Sequence, residues 1–175
     1  MATSKTWVYV DMPGIAKNSY RIYPSGKVYS EKVGKFISPT KNSKGYKCVH
    51  LVTEDGGRKQ EFIHRLLAYA FIKRTDRDTK YHRDFVHFID FDKSDLSVTN
   101  LQFVNEAELW IKVYIHNHPD EFKTLVNYAD FIRRLYNRGY EVEDIIEVLE
   151  LKKSWYTKSV IGRIITTKKS KRKKK

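Results

Sequence analysis

The sequence predicts a mixed α+β chain assembled from small modules in series. Three observations carry that expectation. Over residues 1–60, short β-prone runs alternate with turn residues. From residue 61 the apolar spacing changes to a helical one, and beyond residue 127 two helical patterns are separated by Gly139. The expected modules are a strand-rich unit at 1–58, a helix, strand, loop, strand, helix unit at 59–118, and a helical unit at 127–166, with a basic tail at 167–175. A length of 175 residues accommodates one ordinary domain or a few small ones.

Each element has a local reason. Residues 20–23 and 28–30 are β-prone and flank Pro24-Ser25-Gly26-Lys27, a turn signal. Residues 36–38 form another candidate strand, and residues 44–52 alternate as a half-buried strand does before the hairpin turn at 54–58. In residues 61–73 the apolar positions 63, 66, 67, 70 and 71 follow the spacing of one helix face. Residues 74–83 are polar and charged and are expected to form a loop. Strands follow at 85–90 and 100–104, joined by a loop at 91–99. Asn105 is a reasonable N-cap for a helix from 106 to about 116, with Glu106 and Glu108 in its first turn and Pro119 beyond its end. The helical unit is expected to contain helices at 130–138, 141–149 and 153–164.

The charge balance points to a polyanionic partner. Thirty-four Lys and Arg against 21 Asp and Glu give +13. Seven of the cations lie in residues 168–175, so the remainder still carries +6. Each phosphate that such a surface neutralises releases condensed counterions. The tail reads equally as a phosphate-binding arm or as a nuclear address. With Cys48 as the single cysteine there is no intrachain disulfide and no cysteine-cluster zinc site. No apolar run approaches the length of a membrane span and no signal-peptide pattern opens the chain, so a cytosolic location is expected. No oligomeric state is read from the sequence.

The order strand, loop, strand, helix over 85–116 is the plan of a ββα-metal nuclease site. Such a site needs a His as general base and a few oxygen ligands for one divalent cation near the scissile phosphate. The segment His64-Arg65-Leu66-Leu67-Ala68-Tyr69-Ala70-Phe71-Ile72 resembles the HRLVAxAFI stretch of phage-type HNH homing endonucleases. Val86-His87-Phe88-Ile89-Asp90, Asp92-Lys93 and Asn100-Leu101-Gln102-Phe103-Val104 resemble their V(N/D)HIDGNK…NLEWV stretch, without a gap. Trp7, the hairpin at 20–30 and Gly45-Tyr46 are similar to the small module often fused ahead of that nuclease.

The resemblance implies an HNH-like ββα core, duplex DNA as partner, Mg or Mn as cofactor, and a phage-infected bacterial cell as the setting. It also exposes departures. His87 occupies the position of a metal-binding Asn or Asp, and Phe88 occupies that of the general-base His. Phe91 stands where Gly is usual, and Leu109 where Asn or His is expected. Asn100 and Asp90 remain as candidate metal ligands, with Asp90 also able to serve structurally. Three arrangements stay open: His87 acts as base from a bulged strand, His87 acts as a metal ligand, or the site is inactive and the scaffold binds DNA as a regulator or structural protein. His64 is assigned either to the core or to the metal's vicinity, and His50 and His82 to the solvent.

The C-terminal unit resembles the helix-turn-helix that often closes such proteins. Ile132, Leu135 and Tyr136 give its first helix an inward face, and Val142, Ile145, Ile146 and Leu149 give the second one. A third helix with an apolar back at Trp155, Tyr156, Val160, Ile161 and Ile164 carries Lys152, Lys153, Lys158 and Arg163 as candidate DNA contacts. Glu150 stands where such turns usually have Gly. Lys93, Arg65, Lys44 and Lys47 are the candidate DNA contacts of the preceding modules. A small bundle that binds a protein is the alternative for this unit.

Overall fold

The computed structural model describes residues 7–121 and 124–167, apart from the side chains of residues 76, 77, 126 and 156. The lysine-rich tail at 168–175 lies outside the described residues. The chain divides into two compact units, Met1–Asn105 and Glu106–Lys175.

In the first unit, β1 (Val8–Tyr9), β2 (Tyr20–Ile22), β3 (Val28–Ser30) and β4 (Lys35–Ile37) form an antiparallel sheet in sequence order. Strand side chains alternate between faces. The register therefore aligns Val8, Ile22, Val28 and Ile37 in one row across the sheet, facing the core. A second sheet contains β5 (Thr40–Lys41), β6 (Lys47–Val52) and β7 (Arg58–Phe62). The Val52 N–H donates to Tyr20 Oη at 2.9 Å, tying this sheet to the first. Strand β7 runs directly into α1 (Ile63–Phe71). Glu61 and Phe62 thus belong to the strand and not to the expected helix, because they pair with Val49 and Cys48 on β6.

Helix α1 buries Ile63, Leu66 and Leu67 among Ile22, Val28, Val49 and Leu51. Each such side chain contributes about 1.5–3 kcal/mol on burial. Gly26, at φ +79°, has the approach of α1 as its reason: a Cβ there would meet Ile63 Cγ2 at 3.1 Å and Leu96 Cδ1 at 3.2 Å. The expected loop at 74–83 contains a short helix, α2 (Asp76–Lys80). Thr75 and Asp78 cap it reciprocally, with Thr75 N donating to Asp78 Oδ2 at 2.7 Å and Asp78 N to Thr75 Oγ1 at 3.3 Å. An antiparallel hairpin of β8 (Phe85–Phe88) and β9 (Leu101–Val104) completes the unit.

The second unit is helical: α3 (Glu106–Asn117), α4 (Ala129–Tyr136), α5 (Val142–Val148) and α6 (Trp155–Thr166). Helices α4, α5 and α6 pack on one another, with Phe131, Ile132, Leu135, Ile145, Ile146, Leu149 and Ile161 buried. Phe131 takes the inward position expected of Tyr136, which is exposed. Trp155 is not on the apolar back of α6 but 82% exposed, because it is the first helical residue, beside the cap Ser154. Ser154 Oγ accepts from Thr157 N at 3.1 Å. No helix among the described residues is long and apolar enough to cross a membrane.

Gly139 exits α4 at φ +85°, and Glu150 leaves α5 at φ +54°. A non-glycine residue in that left-handed region costs about 1–2 kcal/mol. Glu150 offsets part of this through Oε1, which accepts from Lys112 Nζ at 2.5 Å. Replacing Glu150 with Gly is expected to raise unfolding free energy by about 0.5–1 kcal/mol, while Glu150→Ala, which keeps the strain and removes the ion pair, lowers it. Urea titration of both variants checks this.

Candidate functional site

The hairpin β8–β9 presents two faces. Val86, Phe88, Leu101 and Phe103 share one, by register, and Phe85, His87, Gln102 and Val104 share the other. Phe88, Leu101 and Val86 pack into the core of the first unit. The Phe88 ring lies 4.9 Å from His64 and 6.2 Å from Tyr46, and Tyr69 of α1 stacks edge-on against Phe103 at 5.2 Å. His87 consequently turns to the opposite face, where it is buried with its ring 4.6 Å from Phe91. Phe91 holds φ +64°, the conformation for which glycine is favoured at that turn.

Asn100 closes the loop between the strands. Its Oδ1 accepts from Asp90 N at 3.0 Å, and its Nδ2 donates to the Asp95 carbonyl at 3.2 Å. The main-chain carbonyl of Asn100 also accepts from Ile89 N at 2.8 Å. Asp90 Oδ1 accepts from Asp92 N, Asp92 from Ser94 N, and Asp95 from Ser97 N, so the carboxylates brace their own turns. Hydrogen bonds from Ser94 hold the Asp92 carboxyl below the ordinary carboxylate range. Of the three candidate ligands, His87 is on the hairpin face away from the core, Asn100 has both ends of its amide engaged, and Asp90 is exposed in a turn. No group of three or more His, Cys, Asp or Glu side chains that could hold a metal occurs among the described residues. Asn100 can join a metal site only by giving up one of these loop hydrogen bonds.

The cationic candidates of the first unit converge in part. Lys93 Nζ sits 4.5 Å from the Tyr46 ring centroid and donates to the Lys44 carbonyl at 3.3 Å, joining loops 49 residues apart. Arg65 instead faces Glu61, whose Oε1 lies 2.6 Å from Lys59 Nζ and whose Oε2 lies 3.8 Å from Arg65 Nη1. Glu61 is 1% exposed, so these two cations neutralise a buried charge. Lys47 is half-buried on β6. In the second unit Lys152, Lys153, Lys158 and Arg163 are exposed, and Lys158 Nζ reaches Glu143 Oε1 at 2.5 Å. The residues not foreseen are Tyr46, as the platform beneath Lys93, and Glu61. The i, i+4 spacing of Glu61 and Arg65 is the signal that would have found the latter.

No family model matches the chain. Two curated proteins are similar to it, both uncharacterized HNH endonucleases of Acanthamoeba polyphaga mimivirus. One is 24% identical over 153 residues, spanning 82% of this chain and 44% of the relative. The other is 32% identical over 105 residues, spanning 60% of this chain and 25% of the relative. By sequence, the chain is similar to these two HNH endonucleases over the stretches matched. It spans less than half the length of either curated relative. A solved structure described as DNA binding and cleavage by the HNH homing endonuclease I-HmuI matches with a TM-score of 0.47 at 25% identity, over 74% of this chain and 68% of its own.

His64, in the first turn of α1, is buried among Tyr46, Phe62 and Phe88. Burial, with Arg65 adding repulsion, lowers its pKa to about 4. The unfolded chain takes up a proton near pH 6.5 while the folded one resists until about pH 4. Stability is thus unaffected by this group above pH 7 and falls as the pH drops through that window, by on the order of 3 kcal/mol at its end. The variant His64→Phe is expected to lose this component, seen as a flatter dependence of unfolding free energy on pH between 6.5 and 4.

Proposed function

We propose that this chain binds duplex DNA with a site preference, using an HNH-type scaffold. The observation that carries the reading is the Lys93 ammonium lying over the Tyr46 ring while donating to the main-chain carbonyl of Lys44, which brings two lysines from segments remote in sequence together beside the hairpin. The positive charge of the chain and its HNH endonuclease relatives support it. In this reading Lys44 and Lys93 meet phosphate, while Lys152 and Lys153 near the start of α6 and Arg163 further along it serve the helix-turn-helix. Lys158 joins them by exchanging Glu143 for phosphate. The modules 1–58, 59–118 and 127–166 are the proposed working parts, with Arg65 and Lys47 as secondary contacts.

A second reading, nicking of the bound duplex, rests on His87. His87 puts an imidazole, the side chain best suited to general-base work, on the hairpin face opposite Phe88, and it has to be uncovered beside Phe91 to act on a phosphate. A divalent cation would supply charge stabilisation at phosphate, with Asp90 and Asn100 as its proposed ligands beside His87. Asn100 has to surrender a loop hydrogen bond to take that part.

Fluorescence anisotropy against a duplex over a range of salt tests the binding. The variant Lys44→Ala/Lys93→Ala is expected to bind more weakly and to lower the slope of log K against log salt by about 2, near 0.9 for each phosphate left without its lysine. An unchanged slope removes these lysines from the interface. Plasmid relaxation with Mg or Mn separates the two readings. Nicking abolished in both His87→Ala and Asn100→Ala establishes the enzyme, and none with either metal leaves the binding protein.

A further inference from the structure

The outer face of the β1–β4 sheet carries a second row, in register with the core row but pointing away from it. Tyr9 pairs with Arg21, Arg21 with Tyr29, and Tyr29 with Phe36, so one residue from each strand lines up across the full width of the sheet. The side chains touch in series. The Arg21 guanidinium lies 4.4 Å from the Trp7 ring and 5.4 Å from Tyr29, Tyr29 meets Phe36 at 5.3 Å, and Tyr23 meets Phe36 at 5.5 Å. Lys27 Nζ stands 5.9 Å from Phe36.

A row that served only to hold the sheet would close over its own rings. Here the ends stay open: Phe36 is 51% exposed and Tyr9 40%. Glu31 pairs with Arg21 and fixes the guanidinium between its two rings. Between Val8 and Lys41 six cations face only two carboxylates. Exposed rings at strand spacing, interleaved with cations on a basic sheet, offer flat apolar faces and phosphate partners together. Paired bases are stacked on each other and cannot use such faces; unpaired bases can.

We propose that this face is a stacking surface for an unpaired stretch of DNA, with Tyr9, Tyr29 and Phe36 receiving bases and Lys27 and Arg21 holding the backbone. The proposal goes beyond duplex binding and does not require it.

The test uses the full chain and three labelled probes, a 15-nucleotide oligothymidylate, an oligouridylate of the same length and a mixed-sequence duplex, in anisotropy titrations at fixed salt. Wild type is expected to bind the oligothymidylate and the duplex, and the oligouridylate no more tightly than the oligothymidylate. Tyr9→Leu/Phe36→Leu, which keeps apolar surface but removes two π-faces, is expected to weaken oligothymidylate binding at least fivefold, about the lower end for a single missing stack. Its duplex affinity should stay within twofold and its melting temperature within a few degrees. Phe36→Trp should restore or exceed wild-type affinity for the single strand.

Unchanged single-strand affinity in the leucine variant overturns the proposal, as does equal loss in Phe36→Leu and Phe36→Trp. Tighter binding of oligouridylate with the same ring dependence overturns the assignment to DNA. Wild type that binds the duplex and not the single strand removes this proposal alone, whereas failure on the duplex removes the function proposed above.

Discussion

The burial of Phe88 is the constraint on which the hairpin depends. A two-stranded ribbon is marginal by itself and becomes stable only when one face is covered. Phe88, with Val86 and Leu101, puts that face against the core. Strand side chains alternate with a period of two, so committing Phe88 to the core face commits His87 to the opposite face, where it is also buried. The same ring completes the aromatic surroundings of His64 and touches Tyr46, which carries Lys93. One buried phenyl ring therefore links the core, the histidine of the helix start and the cationic loops.

Much of the architecture was legible because periodicity reports burial. The residues expected on the inner face of α1 are at its core, and β8, β9, α3, α5 and α6 lie close to their expected positions. What was missed came from pairing across the chain. Glu61 and Phe62 fit a helical pattern yet join β7, since ladder bonds to Val49 and Cys48 outweigh local spacing. Helix α2 was hidden by its polarity, although Thr75 and Asp78 form a legible cap. Trp155 looked like core because hydrophobicity does not say that a helix's first turn projects past its neighbours.

The candidate site was less legible than the fold. Its residue types were visible in the sequence, but the tasks of their atoms were not. Asn100 reads as a ligand until its amide is found bridging Asp90 and Asp95 across the loop. The two positions where glycine was expected, Phe91 and Glu150, both hold positive φ. The backbone takes a glycine-type conformation there although the residue is not glycine, and each side chain meets a partner, Phe91 with His87 and Glu150 with Lys112.

The most direct test of Phe88 as the organising group is the single change Phe88→His, which puts an imidazole where the sequence resemblance leads one to expect a general base. If the position faces the core, the variant loses about 2 kcal/mol or more of stability, since an imidazole is buried beside His64, and nicks plasmid no faster than wild type. Unaltered stability together with metal-dependent nicking raised about a hundredfold or more, the scale on which a working general base acts, would contradict the account.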